Sequence, residues 1–566
     1  MNKKISSSLL LMVCLVAFFT SCKSSLKPLT AEYVNSQPQP LELVGGKVPT
    51  TINVTFPEKW FKKKASVTVI PVLRYEGGES WGHSYVYQGE KVAGNGQVIN
   101  QKTGGNATMH SSFDYVPAMR NSQLYLTFKA KMGDKDIELP DVMIGDGVLA
   151  TEDWASATSE TPATAPDKFQ RIIKEQYNAN IMFLIQQAEL RSSELKKSEI
   201  SDWKGTVENA DQAPNQNVNI EISAYASPDG GYELNEKLAG SREKNTANYL
   251  SKEMKKANVD APINAHYTAQ DWEGFKELVD KSNIQDKELI LRVLSMYNDS
   301  EQREREIKNI SSVFSTLAEE ILPQLRRSRL TANVEIIGKS DDEITSLAKS
   351  NPGSLNVEEL LYAATLTDDL NEQERIYTQV TNLYYNDARG YNNLGMVQYM
   401  KGNASAAKAN FNKANELAGS LPEANLNLGY IALNEGNKQK AEEYFGKASG
   451  VDELENARGL LAIMNGNYSQ AVQAYGNTAS NNAALAQILS KDYNKASSTL
   501  NSVAHPDATT SYLKAVIGAR TNNLNQVTSN IQQAVALNPE LASKALQDVE
   551  FSKYVTNTDF LNAILR

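Results

Sequence analysis

The sequence predicts a multidomain protein with an N-terminal antiparallel β-sandwich, a central α/β two-layer domain that carries a helical insertion, and a C-terminal all-α superhelix. Three observations lead to this fold class. Apolar residues alternate with a period of two in roughly the first 150 residues, strand-like and helix-like segments alternate in the middle, and a helical pattern repeats near the end. A chain of 566 residues is long enough for about three or four domains of roughly 100 to 200 residues each.

The first 22 residues have the pattern of an export signal. Lysines at positions 3 and 4 precede an apolar stretch over residues 9–19, which is too short to span about 30 Å of hydrocarbon. Cys22 follows the small residue Ser21 and resembles the lipobox cysteine of bacterial lipoproteins, although Phe19 replaces the usual leucine. The resemblance implies that residues 1–21 are removed and that Cys22 is acylated. An ordinary signal peptide with an incidental cysteine is the alternative.

The predicted β-sandwich occupies residues 30–154, after a short lipidated linker over residues 22–29. Apolar side chains share one face of each of two clear strands (Ile52, Val54, Phe56; Leu124, Leu126, Phe128). Glycine pairs at residues 77–78 and 104–105 supply turns between short strands. The following segment, residues 155–166, is rich in Ala, Thr, Ser and Pro and is predicted to be a linker.

The central domain is predicted over residues 167–340, because strand and helix patterns alternate there. The predicted strands are residues 180–185, 217–226, 263–267 and 330–337. The predicted helices are residues 193–210 and 233–257. A helical insertion is expected over about residues 271–329. Within it, Arg326, Arg327 and Arg329 are interpreted as a solvated helix end, and Trp272 as a core residue.

Residues 217–250 carry the most specific motif in this domain. A strand leads into a tight acidic glycine turn and then into a helix with an N-x-x-L-x-x-x-R pattern, which looks like the OmpA-like peptidoglycan-binding domain. The resemblance covers roughly residues 180–338. In that family, an aspartate of the turn and an arginine of the helix clamp the ammonium and carboxylate groups of a diamino acid in the wall peptide.

The clamp residues match this sequence only in part. Asn235 and Arg242 stand at the positions of the family asparagine and arginine, but Ser227 stands where the family has its aspartate. Asp229 lies two residues later. A serine cannot neutralise an ammonium group, so either Asp229 takes over that role or the pocket has lost or changed its ligand. Ser227, Asp229, Asn235 and Arg242 are therefore the predicted peptidoglycan-binding residues, and Arg242 as a solvated helix residue is the alternative.

Residues 354–566 are predicted to be tetratricopeptide repeats. Leu394, Gly395, Ala407, Phe411 and Ala414 recur 34 residues later as Leu428, Gly429, Ala441, Phe445 and Ala448, with small residues where paired helices touch. A third unit with Gly459, Ala471 and Tyr475 follows after a shorter step. Such repeats form a superhelix whose concave face usually holds a peptide or a partner protein. Packing against the chain's own domains is the alternative.

The composition argues against several functions. The formal charge of −10 makes nucleic acid a poor partner. The only cysteines are Cys14 and Cys22, and the four histidines (His83, His110, His266, His505) have no metal-ligand spacing, so no metal or cofactor is predicted. The sequence contains no H-E-x-x-H or phosphate-loop motif. We therefore expect a protein that is not an enzyme.

Together these features resemble an envelope lipoprotein of Bacteroidetes. The run after Cys22 is Lys-Ser-Ser-Leu-Lys rather than acidic, which favours an outer-membrane protein that faces the periplasm over one exported to the surface. The resemblance implies a peptidoglycan tether and protein-interaction scaffold with a lipid anchor. An accessory or assembly lipoprotein of a secretion or fimbrial system, without wall binding, is the alternative.

Overall fold

The computed structural model of the chain describes residues 26–284, 286–309 and 311–565, without the side chains of residues 311–313. The predicted signal peptide, residues 1–21, and Cys22 lie outside the described residues. The chain forms two compact units. Unit 1 contains the residues up to Pro166 and those from Asp369 onward, and unit 2 contains Asp167–Asp368. None of the described helices is both long and apolar enough to cross a membrane.

The N-terminal part of unit 1 is β-rich, as the alternation predicts. Its strands are Val34–Gln37 (β1), Leu41–Glu42 (β2), Lys47–Phe56 (β3), Ala65–Tyr75 (β4), Gly78–Trp81 (β5), Tyr85–Gly89 (β6), Gln97–Ile99 (β7), Gly105–Asp114 (β8), Ser122–Met132 (β9), Lys135–Ile137 (β10), Val142–Asp146 (β11) and Val148–Leu149 (β12). One sheet has the order β1-β3-β8, and a larger one has the order β10-β9-β4-β6-β7, with β5 on β4 and β11 on β9.

Both of these sheets contribute to one hydrophobic core. Ile52 and Val54 of β3 are fully buried, as are Val67 of β4 and Leu124 and Leu126 of β9. The apolar faces that the period of two predicts for β3 and β9 therefore contribute to the buried core. Gly77 adopts a φ of 82° in the turn between β4 and β5, a conformation that favours glycine.

Unit 2 combines one sheet with helices. Its strands are Ile172–Met182 (β13), Gln216–Tyr225 (β14), Ile263–Thr268 (β15) and Arg327–Ile337 (β16). Its helices are Ser192–Leu195 (α1), Ser198–Gln212 (α2), Tyr232–Lys256 (α3), Trp272–Lys281 (α4), Lys287–Met296 (α5), Ser300–Asn309 (α6), Ser311–Thr316 (α7), Asp341–Ser350 (α8) and Val357–Ala363 (α9). The sheet order is β13-β16-β14-β15, with β14 and β15 parallel and the other pairs antiparallel.

The core of unit 2 lies between this sheet and helices α2 and α3. Trp203 of α2 and Leu250 of α3 pack against Ile220, Ile222 and Leu330 of the strands. The segment from α4 onward forms a second core of its own, which includes Phe275, Val279, Ile290 and Leu325, with Trp272 packed against it. The assignment of this unit to the OmpA-like family stays a prediction.

Three predicted boundaries in unit 2 differ from the structure. Strand β13 ends at Met182, not at residue 185, and begins at Ile172, not at residue 180. Its first half is an exposed edge without an alternating apolar face. The predicted helix over residues 193–210 is two helices, α1 and α2. The helical insertion ends before residue 329, because Arg327 already begins β16.

The C-terminal part of unit 1 is all-helical. Its helices are Leu370–Leu383 (α10), Ala388–Met400 (α11), Ala404–Ala418 (α12), Pro422–Asn434 (α13), Lys438–Phe445 (α14), Leu454–Met464 (α15), Tyr468–Tyr475 (α16), Asn481–Leu489 (α17), Tyr493–Asn501 (α18), Ala508–Arg520 (α19), Leu524–Leu537 (α20), Leu541–Gln547 (α21) and Thr558–Leu565 (α22). Sequential helices pack as antiparallel pairs, beginning with α11 and α12. Helix α9, within the predicted repeat region, instead belongs to unit 2, where Tyr362 stacks on Phe169.

The repeated small residues lie where paired helices touch. A β-carbon at Gly395 would stand 2.8 Å from the ring of Phe411, and one at Gly429 would stand 2.2 Å from the ring of Phe445. Gly459 has the same relation to Tyr475, at 2.7 Å. Real β-carbons do not approach a ring so closely, because the atoms would overlap, so each glycine lets the bulky ring of the second helix pack against the first.

Candidate functional site

The segment that the composition predicts to be a linker is bound along the repeats of unit 1. We call residues 155–166 the strap. Four asparagines hold its backbone: Asn392 donates one hydrogen bond to the carbonyl of Ala163 (3.1 Å), and the other three each donate one and accept one. Asn393 pairs in this way with Ala165 (2.8 and 2.9 Å), Asn427 with Ala163 (2.7 and 2.8 Å), and Asn482 with Ser156 (3.1 and 2.8 Å).

These contacts read the main chain of the strap rather than its side chains. Asn393 and Asn427 are 34 residues apart and occupy equivalent positions in successive repeats. Their partners, Ala163 and Ala165, are also buried, whereas Thr164 between them is exposed. This alternation is typical of an extended peptide with one face in a groove, because successive side chains then point in opposite directions. The helices that line this groove are α11, α13 and α17.

One side chain of the strap is an anchor in the groove. Glu160 is 6% exposed and accepts hydrogen bonds from Tyr475 Oη (2.6 Å) and Asn482 Nδ2 (2.7 Å), both at Oε1. Burial raises the pKa of the Glu160 carboxyl group, and the two hydrogen bonds lower it by less. Among the described residues, no lysine, arginine or histidine forms an ion pair with it. The pocket therefore offers two donors and no positive charge.

The residues just before the strap join the β-rich part of unit 1 to the repeats. Glu152 accepts hydrogen bonds from the backbone of Gly45 and Gly46 and from Tyr468 Oη. The ring of Trp154 lies 4.4 Å from that of Tyr512, with the ammonium group of Lys544 only 3.3 Å from the indole centre. The β-rich region and the repeats are thus fixed to each other within unit 1.

The predicted peptidoglycan-binding residues in unit 2 do come together, but they bind one another. Ser227 Oγ donates to Asp229 Oδ1 at 2.6 Å. Arg326, at the end of the helical insertion, lies 2.9 Å from Asp229 Oδ2 and 3.2 Å from Ser227 Oγ. Asn235 donates to the carbonyl oxygens of Ser227 and Gly230, which fixes the turn. The carboxylate of Asp229 already has its cation.

Arg242 does not face solvent. It is 1% exposed, and its guanidinium donates to the backbone carbonyls of Gln187 (3.0 Å), Tyr225 (2.7 Å) and Leu184 (3.3 Å). Burial and then the charge of Arg326 lower the pKa of Arg242 to about 10, so it stays protonated at neutral pH. The interpretation of Arg242 as a solvated helix residue is wrong, because its donors connect helix α3 to the strand edge and a loop.

The space left beside these residues is small. A cavity of about 50 Å³ is lined by Ser227, Asp229, Asn235, Arg242 and Arg326, together with neighbouring apolar residues. This volume holds a few water molecules. Arg326 was not predicted as a site residue, because it lies 97 residues from Asp229 in the sequence, and only the cluster of three arginines at residues 326–329 marked its region.

The arginine cluster is not a solvated helix end, contrary to the prediction. Arg327 is 8% exposed and pairs with the buried carboxylate of Asp271 at 3.1 Å. Arg327 and Arg329 lie over the ring of Tyr225. The start of strand β16 brings these residues into the sheet, where charge pairs and ring faces replace water. No group of three or more His, Cys, Asp or Glu in the described parts of the chain is arranged to hold a metal ion.

Comparison with known proteins supports the assignment of the repeats. A family model described as tetratricopeptide repeat matches residues 388–420 and 422–453, which are the helix pairs α11–α12 and α13–α14. The C-terminal region of unit 1 therefore contains tetratricopeptide repeats, as predicted. Repeats of this kind form protein-interaction scaffolds that bind peptides or proteins on their concave face.

Several solved structures resemble this chain at low identity. A tetratricopeptide repeat protein from Parabacteroides merdae is 15% identical, with a TM-score of 0.29, and the match covers 40% of this chain and 91% of that one. PilF of Pseudomonas aeruginosa is 14% identical, with a TM-score of 0.27 and coverage of 38% and 98%. YrrB, described as having an unusual peptide-binding site, is 17% identical, with a TM-score of 0.19 and coverage of 36% and 99%. No curated protein matches the chain.

Proposed function

We propose that this protein is a non-enzymatic interaction scaffold of the bacterial envelope, attached to the outer membrane through an acylated Cys22 and facing the periplasm. The observation that carries the scaffold role is the groove of the repeats, in which asparagine side chains bind the backbone of the strap at Ser156, Ala163 and Ala165. Such a groove recognises peptides. The membrane anchor is supported by the sequence around Cys22 alone.

A peptidoglycan tether is a second candidate. The cluster of Ser227, Asp229 and Arg326 favours it, because an anion and a cation lie side by side at the turn where the OmpA-like resemblance expects the wall peptide. Two observations weigh against it. Arg242 has all of its observed hydrogen bonds to backbone carbonyls, and the adjoining cavity is small. We therefore favour an accessory or assembly scaffold that does not bind the wall.

One experiment separates these candidates. The purified mature chain is mixed with insoluble peptidoglycan and sedimented, with a known OmpA-like domain as positive control. We expect the chain to remain in the supernatant. Co-sedimentation that is lost on Asp229→Asn but kept in the surface variant Lys244→Ala would establish the tether and overturn our preference.

A further inference from the structure

The groove of the repeats is already occupied by a segment of the same chain, so a partner peptide has to compete with the strap. Asn393 and Asn427 contact only backbone atoms of the strap, which every residue except proline can provide in full, and Asn482 adds one hydrogen bond to the side chain of Glu160. The groove therefore accepts other extended peptides at Ser156, Ala163 and Ala165 provided that their side chains there are small. Ala163 is fully buried and Ala165 is 1% exposed, which sets this size limit.

The strap does not satisfy the groove fully. Glu160 places a carboxylate in a pocket that contains two hydrogen-bond donors and no cation, and transfer of an unpaired charge from water is costly. Tyr430, on α13, is close enough to interact electrostatically with Glu160, and it is fully buried with its hydroxyl unpaired among the contacts of the described residues. A buried polar group without a partner destabilises the bound state. The strap is therefore not the most favourable ligand for this groove, because polar groups beside it stay unsatisfied.

We propose that the groove is a binding site for an extended partner peptide that carries glutamine at the position of Glu160, and that the strap is the internal ligand which this peptide displaces. A glutamine presents the same oxygen to Tyr475 and Asn482 without a charge. The displaced strap stays tethered at both ends, so its high local concentration makes it a competitor that sets a threshold for the partner. This inference rests on the proposed scaffold function and names the kind of partner.

The test measures binding of labelled synthetic peptides to the full mature chain. One peptide has the strap sequence ASATSETPATAP, and the other has glutamine in place of glutamate. Ala163→Pro in the chain removes the N–H group that donates to Asn427, which weakens the internal strap without changing the groove. We expect the glutamine peptide to bind this variant at least about tenfold more tightly than wild type, and more tightly than the glutamate peptide at pH 7.5. Adding Asn393→Ala and Asn427→Ala should abolish binding.

Equal binding of both peptides to wild type and variant, or no binding to a folded Ala163→Pro chain, would overturn the proposal. Should Ala163→Pro fail to fold, amide hydrogen exchange of the wild-type chain decides. The amides of Ser156, Ala163 and Ala165 are expected to exchange at least about tenfold faster than those of Ile52 and Val54, through local opening of the strap. If the strap amides exchange only when the whole unit unfolds, the strap does not leave the groove and the proposal is wrong. Neither result alters the membrane and sedimentation assays, which test the scaffold function separately.

Discussion

Arg326 and Asp229 form an ion pair at 2.9 Å, and their side chains are only 12% and 18% exposed. Arg326 lies at the end of the helical insertion and Asp229 in the turn between β14 and α3, so the pair fixes the end of that insertion to the turn before helix α3. It also neutralises the carboxylate that the sequence predicts as the ligand for a wall-peptide ammonium group. A charge that is satisfied within the protein does not need a ligand.

We expect Arg326→Gln to destabilise unit 2 by about 1 to 3 kcal/mol, because it leaves a largely buried carboxylate without its cation. Urea unfolding measures the change. The control is Arg171→Gln, which breaks a more exposed pair with Asp341 and should have a smaller effect on stability, because solvent screens exposed ion pairs. If Arg326→Gln leaves the stability of unit 2 unchanged and allows a diamino acid to bind, then Arg326 blocks a functional pocket.

Arg242→Ala is expected to destabilise unit 2 by more than about 3 kcal/mol, because buried carbonyls lose their donor and a cavity is left. Chemical denaturation of this variant is compared with that of Lys244→Ala, an exposed change on the same helix. A variant that is as stable as wild type but no longer binds peptidoglycan would show instead that Arg242 contacts the wall peptide.

Asn427→Ala removes both of its hydrogen bonds to Ala163 and leaves the N–H group of that residue unpaired, whereas the carbonyl oxygen keeps a hydrogen bond from Asn392 at 3.1 Å. We expect it to lower the stability of unit 1 by about 1 to 3 kcal/mol and to speed hydrogen exchange in the strap. The matched control is Asn403→Ala, at an exposed helix start without a side-chain cap bond. A loss of stability without faster exchange in the strap would mean that Asn427 supports the repeats instead.

The pH dependence of unit 1 should change with Glu160→Gln. Because the pKa of Glu160 is raised in the bound strap, protonation of this carboxyl group stabilises the bound state. That stabilisation is complete at low pH and is lost as the pH rises through the raised pKa. The titratable groups that face Glu160 are Tyr475, Tyr430 and Tyr399, all with pKa values raised by burial.

Glu160→Gln keeps the acceptor oxygen and removes the charge. The variant should therefore be more stable than wild type at pH 7, with a difference in the free energy of unfolding that shrinks toward pH 4. Parallel urea titrations at several pH values measure it. A difference that is constant over this range, or of opposite sign at neutral pH, would contradict the argument.

Cys22→Ala should release the protein from the membrane fraction, because the variant loses the acyl chains that the lipobox resemblance implies for Cys22. Fractionation with metabolic labelling by a fatty acid detects the change, and Ser24→Ala is the control. A Cys22→Ala protein that still floats with membranes would show that another element holds it there.

The parts of this fold that were predictable are those in which burial is periodic. The alternation at Ile52 and Val54 revealed the β-rich region, and the repeat spacing at Gly395 and Gly429 revealed the helix pairs. The strap was not recognised, because alanine, serine, threonine and proline are equally typical of free linkers and of peptides bound through their backbone. Its receptors, Asn393 and Asn427, have no local pattern that distinguishes them from surface asparagines.

The site in unit 2 was predictable only as far as local sequence reaches. Ser227, Asp229 and Asn235 lie within one turn and its following helix, and they do meet there. Arg326 approaches them only after the insertion has folded. The partners of Arg242 are carbonyl groups, which every residue carries and no sequence motif marks.

The hydrogen bonds between the strap and the repeats join residues that are 223 to 326 positions apart in the chain. During synthesis the strap and all of unit 2 therefore emerge before most of the helices that will bind it. Contacts of such long range form late, since loop closure has to precede them. Until then the strap is exposed, and a protein exported through a membrane would reach its destination with its groove still unfilled. For a short interval after translocation, another peptide then has the opportunity to enter the groove before the strap does, and the first occupant of a new molecule is decided by timing as well as by affinity.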